Sequence, residues 1–76
     1  MFVAVEYNKI IETINLDNIT EIKCDYNVNT LVMYKDFGTW SNWTFVDGGA
    51  LTNAYNQIVE GLLADKKLIT IKEGLE

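Results

Sequence analysis

Asp47-Gly48-Gly49-Ala50-Leu51-Thr52-Asn53-Ala54-Tyr55-Asn56-Gln57-Ile58-Val59-Glu60-Gly61-Leu62 is the stretch that decides the fold. Leu51, Ala54, Tyr55, Ile58 and Leu62 recur at helical intervals, and Asn53, Asn56, Gln57 and Glu60 lie opposite them. One apolar stripe against one polar face is the pattern of a helix that covers a sheet. The spacing predicts a helix over about residues 50–64. Asp47 or a following glycine can serve as its N-cap, where an aspartate oxygen satisfies an orphan amide. Gly61 inside the helix costs ~1 kcal/mol relative to alanine, so either the helix packs closely there or it ends early.

Working back from this helix, the chain reads as strands. Phe2-Val3-Ala4-Val5-Glu6-Tyr7 is rich in β-formers, Asn8-Lys9 is a turn, and Lys9 to Ile14 forms the second arm of a hairpin. Leu16 and Ile19 are spaced by three, so one tight turn with both tucked beneath it is expected. From Thr20 to Tyr26 the chain alternates. Ile22, Cys24 and Tyr26 occupy one face and Glu21, Lys23 and Asp25 the other, as in a half-buried antiparallel strand. Thr30 to Lys35 and Trp40 to Val46 are the next two strands, separated by a turn at Asp36-Phe37-Gly38-Thr39. Beyond the helix, Leu68-Ile69-Thr70-Ile71-Lys72 reads as a last strand, and Glu73 to Glu76 should fray. The expected fold is α+β, a single two-layer domain over residues 1–76. It is an antiparallel β-meander of about five strands with one helix packed on one face and a short C-terminal strand.

Composition narrows the classes of function. The chain has 76 residues, a formal net charge of −5, and no proline, arginine or histidine. An acidic chain without arginine lacks the cationic footprint of a nucleic-acid binder and of a protein docked on an anionic membrane. Neither a basic leader nor a long apolar run occurs, so a cytoplasmic setting is expected, and the lone Cys24 agrees with it. The sequons at Asn18-Ile19-Thr20 and Asn42-Trp43-Thr44 then read as chance matches. Abundant asparagine, isoleucine and lysine, which are encoded by A- and T-rich codons, point to an AT-rich genome such as that of a low-GC bacterium or its phage.

The search for chemistry is short. Without histidine, no Ser/His or Cys/His nucleophilic pair can exist. Cys24 lies on the face assigned to the core and reads as a small buried hydrophobe. With one thiol and no imidazole, zinc lacks its usual ligands. The acids are spaced singly, without a calcium-loop pattern. Asp17, Asp25, Asp36 and Asp47 fall at turns, where aspartate bonds its own backbone. Asp47-Gly48-Gly49 lacks the glycine spacing and lysine of a phosphate loop, and its carboxylate would repel an anion. No catalytic residue, metal site or cofactor is expected.

One cluster stands out. Tyr34, Phe37, Trp40, Trp43 and Phe45 lie within twelve residues. Trp43 and Phe45 share a strand face, and Trp40 has the opposite parity. Trp43 and Phe45 are therefore assigned to the core. Tyr34, Phe37 and Trp40 are assigned to a partner-binding patch on the open face of the sheet, since exposed aromatics are enriched in interface hot spots.

Ile14-Asn15-Leu16-Asp17-Asn18-Ile19-Thr20-Glu21-Ile22 resembles a segment of many small bacterial and phage proteins, FlbD-like flagellar proteins among them. There, a hairpin leads through an Asn/Asp turn into another strand. The likeness implies this local geometry and carries no function. The expected function is a non-enzymatic protein-binding module, of the kind used by phage or mobile-element inhibitors. Such a protein blocks a host protein, for example a nucleic-acid-handling enzyme, by occlusion or DNA mimicry. The alternative is a self-associating structural or accessory subunit, as in a homodimer.

Overall fold

The structure is a computed structural model that describes residues 1–36 and 38–76, without the side chains of Thr39 and Trp40. Strands β1 (Phe2–Tyr7) and β2 (Ile10–Asn15) form the expected hairpin. Asn8 and Lys9 both take positive φ, 48° and 64°. That pair of left-handed residues is what a two-residue type I′ turn demands, and its twist matches the strands it joins. A single 3-10 turn, Leu16–Asn18, follows, with the Asn15 side chain accepting from the Asp17 amide. Leu16 is buried beneath it and Ile19 is half-buried.

Strands β3 (Glu21–Asp25), β4 (Thr30–Lys35) and β5 (Gly38–Thr44) then pair antiparallel in chain order. Helix α1 (Gly48–Leu63) and strand β6 (Leu68–Ile71) complete the chain. The expected five-stranded meander is corrected here. The strands divide into two three-stranded sheets, ordered β2-β1-β6 and β3-β4-β5. The 3-10 turn between β2 and β3 ends one sheet and opens the other. The last strand joins β1 in parallel, with Val3 beside Ile69 and Val5 beside Ile71.

Two local devices set where α1 lies. At its start, the Asp47 carboxylate accepts from the Ala50 amide at 2.8 Å, the expected N-cap. At its end, Asp65 takes φ 54° while the Lys66 amide bonds the Gly61 carbonyl and the Asp65 amide that of Leu62. These two bonds make a Schellman motif with aspartate in the position glycine usually fills. Gly61 is buried, and a Cβ there would overlap the Ile69 side chain. The helix therefore packs closely on β6 at that point instead of ending early.

This approach rotates the buried face. Leu51, Ala54, Ile58 and Gly61 face the core. Tyr55 and Leu62, expected on the buried stripe, are exposed at 37% and 51%. The sequence periodicity could not anticipate that the closest neighbour is placed by the smallest residue. Both sheets contribute to one core cluster with α1: Val3, Val5, Ile14, Ile69 and Ile71 from the first, and Leu31, Met33 and Trp43 from the second, with Phe45 just past β5.

The C-terminal residues do not fray as expected. Leu75 bridges Phe45, the Gly74 carbonyl accepts from the Val46 amide, and the Glu76 amide donates to Thr44. Gly74 has φ +80°, and a Cβ on it would sit 2.5 Å from the Ala50 Cβ. Glycine there both permits the turn and lets the tail lie against the first turn of α1.

Candidate functional site

Of the three aromatic side chains assigned to a partner-binding patch, Tyr34 alone lies among the described residues. Tyr34 lies half-buried on the outer side of β4, opposite Glu21 on β3 and Thr39 on β5. Phe37 and the side chain of Trp40 lie outside the described residues. The parity argument that separated Trp40 from Trp43 also meets an irregularity. Met33 pairs with Ser41 but Tyr34 with Thr39, so the register slips by one residue between them and alternation does not carry across. The core assignments do hold: Trp43 and Phe45 are buried, and Trp43 packs beside Leu31. Its indole N–H is buried without a hydrogen-bond partner among the described residues.

Two concave surfaces flank α1. Asn53, Asn56, Gln57 and Glu60 project from the solvent side of the helix, and Glu73 and Gly74 come up beside them from the tail. Together with Asp47 they line an open groove of about 650 Å³. Its three ionisable side chains are all carboxylates, and its amides offer donors and acceptors in both senses. All three carboxylates are exposed, and Asp47 also caps α1. The tail is held in this position by the backbone bonds of Gly74 and Glu76 to Val46 and Thr44, and the absence of a side chain at Gly74 lets it lie against Ala50. The sequence had marked Asn53, Asn56, Gln57 and Glu60 as the polar helix face. Glu73 joins them only because the tail folds back.

On the other flank, Leu16, Ile19 and Ile22 meet Tyr55, Val59 and Leu62 across an apolar groove of about 360 Å³. It exists because Tyr55 and Leu62 are rotated off the core. It opens beside β3, an edge strand of its sheet.

The titratable groups with displaced proton affinity are structural. Tyr7 donates its hydroxyl to Glu12 beside the turn of the β1–β2 hairpin. That bond, reinforced by burial and the carboxylate charge, holds the phenol above its usual range. Burial pushes the Cys24 thiol up as well. Expected in the core, Cys24 is instead half-buried against it, because β3 is an edge strand whose one neighbour among the described residues is β4. Tyr26, expected on the same face, is exposed in the following turn, where its hydroxyl lies 2.5 Å from that of Thr52 on α1. No group of three or more potential ligands that could hold a metal ion occurs among the described residues. Among the described residues, no helix is long and apolar enough to cross a membrane.

No family model, curated protein or solved structure matches the chain.

Proposed function

We propose that the protein is a non-enzymatic binding module that occupies a basic surface on a partner protein through the groove along α1. One observation carries this reading. The groove gathers Glu60 and Glu73 with the amides of Asn53, Asn56 and Gln57, and no lysine lines it. A formal charge of −5 places the surface in a negative overall field. Such a field speeds encounter with a cationic partner and orients it. A basic surface covered in this way is closed to nucleic acid, which supports the inhibitor role expected from composition.

The test is capture from a bacterial lysate with immobilised protein, run beside a Glu60→Lys/Glu73→Lys variant. Captured protein should be released by added duplex DNA and should be lost with the variant. Capture that survives both treatments, or no capture by the parent protein, removes the reading.

A further inference from the structure

We infer that the chain dimerises by antiparallel pairing of β3 with β3 of a second copy, about a two-fold axis at Ile22. Three observations meet at this edge. Among the described residues, β3 is paired on one side only, by β4. An unpaired edge presents a row of backbone donors and acceptors that another strand can satisfy. The apolar groove of Ile19, Ile22, Tyr55, Val59 and Leu62 opens beside that edge. Leu62 and Tyr55 are among the large apolar side chains the chain leaves exposed.

The third observation selects the occupant. Along its outer face β3 reads Glu21, Lys23, Asp25, an alternation of negative, positive and negative charge. Antiparallel pairing centred on Ile22 sets Glu21 of each copy opposite Lys23 of the other, giving two opposite-charge cross-strand pairs. Pairing centred on Lys23 would oppose lysine to lysine and Glu21 to Asp25, and is disfavoured. Pairing centred on Cys24 would oppose Lys23 to Asp25, but the Asp25 carboxylate already accepts from the Asn27 amide in the turn. On the inner face, the register at Ile22 sets the two Ile22 side chains side by side. Each then extends the other copy's groove, and the exposed Tyr55 and Leu62 of the two helices are brought toward a shared apolar seam. The carboxylate groove on the other flank of α1 stays open, so the dimer carries two of them. The self-associating subunit, the alternative reading of the sequence, thereby acquires a specific surface.

Sedimentation of the full chain from about 1 μM to about 1 mM spans the affinities of weak and moderate interfaces. A dimer is expected within that range. Glu21→Lys and Lys23→Glu each set like charges opposite one another twice per dimer, and should weaken it about tenfold or more. The double variant Glu21→Lys/Lys23→Glu restores both pairs and should return to within about threefold of the parent, because the coupling is pairwise. Asp25→Asn should leave the affinity unchanged. Both charged positions are exposed, and circular dichroism checks that every variant is folded. A monomer throughout overturns the proposal, including one that binds a foreign extended segment at this edge. So does a dimer that tolerates both single reversals, a double variant no tighter than the singles, or loss of the dimer in Asp25→Asn. The capture experiment on the α1 groove is independent of all these outcomes.

Discussion

The two sheets are built by different means. β3, β4 and β5 follow one another in the chain, and each pairs with the strand just made. β1 lies between β2, its immediate successor, and β6, which arrives only after every other element. Their outer faces differ too. The second sheet shows Glu21, Lys23 and Asn42 to solvent around the half-buried Tyr34. The first shows Phe2 beside Leu68 across β1 and β6, and Ile11 beside Glu6 across β1 and β2. A meander closes through short loops at little entropic cost, whereas the parallel pair closes a loop of most of the chain. The first sheet therefore depends on tertiary contacts, with α1 docked on β6, to a degree that the second does not.

The comparison can be attacked first at the core that joins the sheets. Trp43 belongs to the second sheet and is almost fully buried. Trp43→Ala should cost ~3–5 kcal/mol, comparable to the stability of a chain this short. Urea denaturation should find it largely unfolded. A variant that melts within a few degrees of the parent would mean that the two sheets do not share a core.

Gly61→Ala tests the first sheet alone. Alanine favours helix by ~1 kcal/mol over glycine, yet here its Cβ would overlap Ile69 of β6. Overpacking of this kind costs ~1–3 kcal/mol, so the variant should be less stable than the parent despite its better helix propensity. Backbone amide exchange should quicken in β6 and β1 before it does in β4. Equal quickening in both sheets would erase the distinction drawn between them.

Asp47→Ala removes the cap that starts α1 and should cost ~1 kcal/mol in a thermal melt. Asp65→Gly at the other end should act in the opposite sense. Glycine meets no penalty at φ 54°, and the Schellman turn should gain up to ~1 kcal/mol. If Asp65→Gly destabilises, the aspartate is held by something other than the turn.

The smallest expected effect belongs to Cys24, on the edge of the second sheet. Its thiol is raised by burial, so the folded state holds its proton to higher pH than the unfolded state does. Stability from this source is complete below the unfolded thiol value and falls as pH rises through the folded one. Labelling by a thiol reagent should be slow in native protein at neutral pH and should accelerate only at more alkaline pH than in urea-unfolded protein. Equal pH profiles would place the thiol fully in solvent and remove β3 from the core.

Legibility follows the same division. The Asn8-Lys9 turn, the 3-10 turn under Leu16, the alternation of β3 and the Asp47 cap were each readable, because each depends on residues at most a few positions apart. Trp43 and Phe45 were assigned correctly to the core because both lie on the same side of the register slip, at the end of β5 and just beyond it. Trp40 lies at the slip itself, where alternation loses its meaning. The exposure of Tyr55 and Leu62 was unreadable for another reason. Five apolar residues at helical spacing define a stripe wider than a single contact line, and which part of it is buried depends on what approaches. The carboxylate groove was half legible, as a polar helix face without the Glu73 that completes it.

By itself, then, the sequence determined the order and kind of the elements and, away from the register slip, the alternating faces of the strands, because turn chemistry, capping and periodicity act over a few residues. Only the tertiary structure decided that the strands split into two sheets, that β6 lies parallel to β1, and that the tail returns to Phe45. Parallel pairing needs a long connection and leaves no signal at the turn. The choice of partner rested on close approach at two glycines, Gly61 against Ile69 and Gly74 against Ala50, between segments that the chain alone does not relate.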